Sequence, residues 1–192
     1  MIEIDTGRSL LTEINQFVEI HFEVFEKEVS TALGKKYLTS VYEIILEEED
    51  TVVFYERDKE KIIGFIVYTK GTPSLTHCIH LNELFNFFIR TLQTPSLILK
   101  LFIQFLIPTK KKDSNFFEIS FFAVRKGFQS KGTGKDLLNE LLIYSRKTRI
   151  NNIITKTSNK NLLRFYLNNF NSSVDSVHGF RFIKYYLIKI NS

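Results

Sequence analysis

Cysteine is almost missing from these 192 residues: Cys78 stands alone. That excludes an intramolecular disulfide framework and fits a reducing, cytoplasmic compartment. His77 and His80 flank it, but three ligand-type side chains in four residues lack a fourth, so no zinc site is expected. The opening Met1–Asp5 has neither the basic nor the apolar stretch of a secretory leader. No apolar run reaches the roughly twenty residues of a spanning helix. The greasiest run, Ser96 to Pro108, is shorter and is broken by Lys100. Repeats and low-complexity tracts are absent. So is the aromatic–basic interleaving that stacks nucleic-acid bases, and nucleic acid is not an expected partner.

What is present is ordinary for a single folded domain over residues 1–192: 44% hydrophobic and 24% charged residues, with a net charge of +5. The charge suits an anionic ligand or surface without choosing one.

The informative stretch is Phe116 to Leu142. A β-forming run, Phe116 to Val124, leads through a loop, Arg125 to Gly132, into a periodic helical segment from Thr133. The loop contains Gln129-Ser130-Lys131-Gly132-Thr133-Gly134. A helix N-terminus offers unpaired N–H groups and partial positive charge, and glycines let a ligand approach the backbone. Two phosphate motifs fail here. A P-loop needs Gly where Gln129 stands and Ser or Thr where Asp136 stands; the dinucleotide fingerprint needs Gly where Leu137 stands. What remains, Gln-x-x-Gly-x-Gly after a strand, resembles motif A of the GCN5-related N-acetyltransferase (GNAT) superfamily. The resemblance implies that the loop's amides hold the pyrophosphate of acetyl-CoA.

The chain before the motif adds to the likeness. Ile2 and Ile4 alternate with Glu3 and Asp5 as in an edge strand. Leu10, Ile14, Phe17, Val18, Phe22 and Phe25 recur at helical spacing, predicting a helix capped by Ser9 or Thr12 and ending near Glu28. Ser30 to Gly34 reads as a break, and a second helix follows from Lys35 to Glu48. Thr51–Tyr55 and Lys61–Thr69, with a charged link, read as a β-hairpin, Gly64 marking a bulge or a close contact. Leu33-Gly-Lys-Lys-Tyr-Leu38 followed by Ile62-Ile-Gly-Phe65 is similar to a bacterial GNAT branch. After the central helix, Asn152–Thr157 reads as a strand and Asn161–Asn169 as a short helix. Val174–Val177 and Phe180–Ile190 close the chain as a hairpin. The expected fold is therefore α/β (α+β): a mixed, mostly antiparallel sheet flanked by helices.

Residues 73–113 depart from the family's minimal pattern as a helical insert. Leu81 to Leu92 and Leu97 to Leu106 form two apolar stripes around Pro95, ending at Pro108 and Lys110–Lys112. The insert admits three readings: a lid on the domain, a homodimer contact, or a membrane-surface anchor.

Acetyl transfer from a thioester to an amine needs a polarised carbonyl, a deprotonated amine and a protonated leaving thiolate. A free alkylammonium has a pKa near 10.4, so only about one in a few thousand is nucleophilic at neutral pH. Glu118-Ile-Ser-Phe-Phe-Ala-Val124 resembles the motif-A strand of the histone-acetyltransferase branch. The resemblance implies Glu118 as general base. It also implies that the amides of Phe122 and Val124 meet the acetyl carbonyl and the pantetheine arm. Among Phe116, Phe117, Ile119 and Phe121 the carboxylate would be partly desolvated. Asn159, six residues, then Tyr166 matches the family motif whose tyrosine protonates the thiolate, with Asn169 where Gly is usual. Asn tolerates the left-handed conformation nearly as well.

The implied co-substrate site is thus Phe122, Ala123, Val124, Gln129, Ser130, Lys131, Gly132, Thr133, Gly134, Lys135 and Asn159, and no metal is called for. His21 could line the acceptor side, although a half-exposed structural histidine is the plainer expectation. The expected activity is direct acetyl transfer from acetyl-CoA to a primary amine of a small molecule in a ternary complex. The alternatives are an acyl-CoA-binding module without turnover and a membrane-peripheral acyltransferase.

Overall fold

A computed structural model describes residues 1–26, 28–71, 96, 116–180 and 183–191. The expectations for the 73–113 insert, including its lysine run and the His77–Cys78–His80 trio, fall outside the described residues.

Seven strands form one sheet in the order β1-β2-β3-β4-β5-β7-β6. They are β1 Ile2–Thr6, β2 Val52–Asp58, β3 Lys61–Lys70, β4 Phe117–Val124, β5 Ile153–Thr157, β6 Ser172–Phe180 and β7 Ile183–Ile190. All neighbours pair antiparallel except β4 and β5. That parallel step requires a crossover, supplied by helix α4, Thr133–Lys147. Helices α1 Ile14–Val24, α2 Val29–Leu33 and α3 Lys35–Glu47 lie between β1 and β2 in sequence, and α5 Lys160–Asn169 lies between β5 and β6.

The sheet separates two cores. On one face Phe17, Ile20, Leu38, Tyr42 and Ile45 of α1 and α3 pack on Val53, Phe65, Val67 and Ala123. On the other, Leu137, Leu138 and Leu141 of α4 and Tyr166 of α5 pack on Phe54, Ile66, Ile119, Ile153 and Ile188. Gly64 is a close contact: a Cβ there would lie 3.1 Å from Thr133, Leu137 and Val124 side-chain atoms. A bulge adjoins it, where the β2–β3 register slips past Ile63.

Three details differ from the sequence reading. The stretch before α1 is a 3₁₀ helix, Gly7–Glu13, with no side-chain cap; Ser9 instead donates to Thr6 O at 2.8 Å. The chain over Ser30–Leu33 is helical, because the real stop is Gly34, at φ +107°. Finally, β6 runs nine residues and includes Phe180, so the last two strands are almost equal in length.

Candidate active site

The site begins with a fault in β4. Its register against β3 steps from Val67–Phe121 to Tyr68–Ile119, leaving Ser120 as an extra residue. Pairing with β5 covers only Phe117–Ile153, Glu118–Ile154 and Ile119–Thr155. A bulge bends its strand and increases the local twist. This one falls immediately after the last residue paired to β5, so β4 leaves β5 and a crevice opens between them. The Ser120 hydroxyl is held at 2.7 Å by Thr69 Oγ1, which also donates to Gly71 O at 3.1 Å.

The crevice is a cavity of about 450 Å³ lined from both faces of the sheet. Phe122, Leu162 and Tyr166 line it from the α4/α5 face; His21, Phe25, Ser30 and Phe121 line it from the α1/α2 face. Two reactants could therefore enter from opposite sides and meet where the strands part.

Backbone polarity follows from alternation along β4. Arg125 N donates to Ile63 O of β3 at 2.8 Å. Counting back by twos, the amides of Ala123 and Phe121 face β3, and those of Val124 and Phe122 face the opening. Gln129 Nε2 donates to Val124 O at 2.8 Å, so the loop's glutamine braces the strand end. Ala123 turns its amide to β3 and its side chain into the α1/α3 core. Within the expected co-substrate segment, the amides that face the opening are therefore those of Phe122 and Val124.

Beyond the brace the chain coils into α4. Ser130 at φ +60° and Gly132 at φ +100° are both left-handed. Gly132 caps α4 without any side-chain hydrogen bond to the first turn. Its carbonyl accepts from Lys135 N at 2.8 Å and Asp136 N at 3.0 Å. A Cβ on Gly134 would come within 3.2 Å of Phe122 Cζ. Gln129, Ser130, Lys131, Gly132 and Lys135 are exposed. Lys131 Nζ sits 5.2 Å from the Phe128 ring centre. Thr133 is buried against Gly64, so only its backbone is available to a ligand.

Helix α5 delivers the tyrosine. Asn159 Oδ1 accepts from Asn161 N at 2.8 Å and Leu162 N at 3.3 Å, which fixes the helix start. Seven residues are nearly two full turns, so Tyr166 returns to the same side. Its side chain is 0% exposed, and its hydroxyl makes no well-formed hydrogen bond among the described residues, although the Thr155 side chain is near enough to offset part of the effect of burial. Burial pushes its pKa well up, so it holds its proton at neutral pH. Asn169 ends α5 without the left-handed conformation anticipated for it; its Nδ2 donates to Phe165 O at 2.9 Å.

Glu118 lies on the α1/α2 side, since Ile119 points into the opposite core. It is only 6% exposed and forms an ion pair with Lys156 of β5, Nζ to Oε1 at 3.3 Å. The sequence reading foresaw the burial but not the lysine. His21 is 2% exposed rather than half-exposed, and burial lowers its pKa to about 3. The end of α1 and the turn after it are pinned to the loop after β4: Arg125 donates to Glu23 and Glu19 at 3.2 and 3.4 Å, Lys126 N to Glu23 at 2.6 Å, and Lys126 Nζ to Glu26. Across the cavity, Ser158 donates to Glu28 at 3.2 Å.

Known families and structures bear on this geometry. The family model described as Acetyltransferase (GNAT) family matches residues 14–170. The chain belongs to the GNAT acetyltransferase family. It is an acetyl-CoA-dependent acetyltransferase, and the unpartnered tyrosine and side-chain-free helix start fit that co-substrate. No curated protein matches the sequence.

Solved structures share the GNAT fold at low identity. The ribosomal-protein-alanine N-acetyltransferase of Brucella melitensis matches at TM-score 0.61 and 12% identity, over 100% of this chain and 99% of that one. The ribosomal-protein-S18-alanine N-acetyltransferase of Escherichia coli gives 0.59 and 12%, over 100% and 94%. The PaiA N-acetyltransferase of Thermoplasma acidophilum, in complex with coenzyme A, gives 0.55 and 15%, over 99% of both chains. Among the described residues of this GNAT domain, no group of acidic, histidine or cysteine side chains is placed to hold a metal ion. No described helix is long and apolar enough to cross a membrane.

Proposed function

We propose that this GNAT protein transfers the acetyl group of acetyl-CoA directly to a primary amine of a small molecule, in a ternary complex without a covalent enzyme intermediate. The observation that carries the reading is the Tyr166 hydroxyl. It is buried, makes no well-formed hydrogen bond among the described residues, and is set in the wall of a cavity lined from both sheet faces. Leaving such a hydroxyl unsatisfied costs about 1–3 kcal/mol, a cost understandable if a ligand completes it.

In this mechanism the amine nitrogen attacks the thioester carbon and the C–S bond breaks. Phe122 and Val124 amides donate to the acetyl carbonyl and the pantetheine arm. The amides from Ser130 to Gly134, with Lys131 and Lys135 adding charge, hold the pyrophosphate. Asn159 stands at the cavity wall as the cap that aims α5. Tyr166 donates its proton to the departing sulfur. Glu118 takes the proton lost by the amine. It sits on the amine side of the sheet but does not itself line the cavity, so in this scheme the proton reaches it through a bridging water beside Lys156, which does line it. Ligand pockets span roughly 300–1,000 Å³, so this cavity has room for a small acceptor.

The test is release of coenzyme A thiol from acetyl-CoA across a panel of small amines and a peptide with N-terminal alanine, for the wild type and Tyr166→Phe. Turnover on small amines that falls about a hundredfold in the variant, with acetyl-CoA still bound, supports the proposal. Turnover confined to the peptide overturns the small-molecule acceptor. Binding without turnover on any amine makes the chain a non-catalytic module.

A further inference from the structure

The α1/α2 wall contains a hydrogen-bond chain that the transfer chemistry above does not use. Tyr42 of α3, fully buried, meets His21 Nδ1 at 3.1 Å, and His21 Nε2 meets Ser30 Oγ at 2.9 Å. His21 and Ser30 both line the cavity. The imidazole is fixed in place: its ring centre is 4.7 Å from that of Phe25 and 5.2 Å from that of Phe121.

The direction of the chain follows from counting protons. A neutral imidazole has one donor and one acceptor nitrogen. His21 is neutral at working pH, because burial lowers its pKa to about 3. It is therefore also too weak to serve as the base. The Tyr42 hydroxyl is buried, and its one hydrogen bond among the described residues runs to His21. If it accepted that bond, its own proton would be stranded in the core, at a cost of about 1–3 kcal/mol. Tyr42 therefore donates to Nδ1, and Nε2–H donates to Ser30 Oγ. With a donor already directed at its oxygen, Ser30 keeps its O–H for a group in the cavity.

We propose that Ser30, oriented by His21 and Tyr42, determines acceptor specificity by donating a hydrogen bond to an oxygen of the acceptor, so that the preferred substrate is an amine bearing a nearby hydroxyl or carbonyl. This rests on the acetyl-transfer reading of the same cavity. His21 and Tyr42 are positioning residues in this scheme. The geometry adds a directional preference: a donor serine favours an oxygen on the acceptor, and an alkylamine without one leaves the hydroxyl unmatched.

The experiment compares ethanolamine and glycinamide with n-propylamine as acceptors, reading kcat/KM for each in the wild type, Ser30→Ala, Ser30→Thr and His21→Gln. The expected wild-type preference for the oxygen-bearing amines is about tenfold, the scale of one neutral hydrogen bond. Ser30→Ala should erase that ratio through the acceptor KM while the KM for acetyl-CoA holds. Ser30→Thr should restore it, and His21→Gln should reduce it. Turnover of all three amines with a ratio unaffected by Ser30→Ala overturns the inference while leaving the acetyltransferase reading intact. Turnover of no amine by the wild type overturns both. A Ser30→Ala protein that loses all three amines equally, with an unchanged melting temperature, also overturns it, because the serine would then act on the reaction in general.

Discussion

The two sides of the crevice are built differently. On the α4/α5 side the working groups are the amides of Phe122 and Val124, a capless helix start and one tyrosine hydroxyl without a well-formed hydrogen bond among the described residues. On the α1/α2 side almost every polar group already has a partner: Glu118 with Lys156, Arg125 with Glu19 and Glu23, Ser158 with Glu28, His21 with Tyr42 and Ser30. A surface of backbone amides recognises what every member of a family shares and tolerates changes in side chains. A surface of paired side chains is set up by the particular sequence. The first side suits the constant co-substrate, and the second suits the variable acceptor.

Removing the tyrosine hydroxyl is the largest expected break of the first side. Tyr166→Phe keeps the ring against Phe122 and Phe165 and deletes only the unpartnered oxygen. Turnover should fall about a hundredfold, while thermal stability holds or rises, since a buried unsatisfied group is lost. Kinetics and a melting curve on one preparation check both halves. A fall in stability alongside activity would mean that the hydroxyl has a structural partner.

Next in size is the cradle. A Cβ on Gly134 would press on the Phe122 ring at 3.2 Å. Gly134→Val should raise the KM for acetyl-CoA by about tenfold or more, about 1.4 kcal/mol of lost binding, with the acceptor KM little changed. If the acceptor KM moved instead, the division of labour between the two sides would be wrong.

The contrast also explains what could be read in advance. The co-substrate side is contiguous: Phe116 to Leu142 spells strand, loop and helix in order, and α4 begins at Thr133 as its spacing predicts. Asn159 and Tyr166 lie on one short helix, so local periodicity joins them. The hairpin of β2 and β3 was legible for the same reason. The acceptor side is stitched from distant segments: Lys156 reaches Glu118 across 38 positions, and Ser158 reaches Glu28 across 130. No local pattern encodes such pairings. Likewise the helical turn over Ser30–Leu33 hid behind polar residues that read as a break, and the extra residue Ser120 sat inside a run that reads as an uninterrupted strand.

His21 gives the acceptor side a pH signature. Its folded-state pKa of about 3 lies below the unfolded value of 6.5. The unfolded chain therefore takes up a proton that the folded chain refuses. The stability this group contributes is intact above pH 6.5 and is lost as pH falls toward 3, at up to roughly 1.4 kcal/mol per pH unit. Melting temperatures from pH 7.5 to 4.5 should drop more steeply for the wild type than for His21→Gln. Parallel slopes would mean that the buried imidazole is not what senses the acid.

The smallest effect should come from Ser158→Ala, which deletes the bridge to Glu28 across the cavity. The bond is only partly buried, and a neutral donor to a carboxylate at 3.2 Å contributes less than a short, fully buried one. The α1–α2 turn also remains pinned by Arg125 and Lys126. The acceptor KM should therefore rise only about two- to threefold, or about 0.5 kcal/mol, with kcat and the KM for acetyl-CoA unaffected. That small number discriminates well. A serine that merely closed the cavity mouth would slow acceptor entry and release together and leave the KM unchanged. A serine that braces the acceptor wall weakens binding alone. A larger loss, shared by acetyl-CoA, would show that the two sides are mechanically one unit.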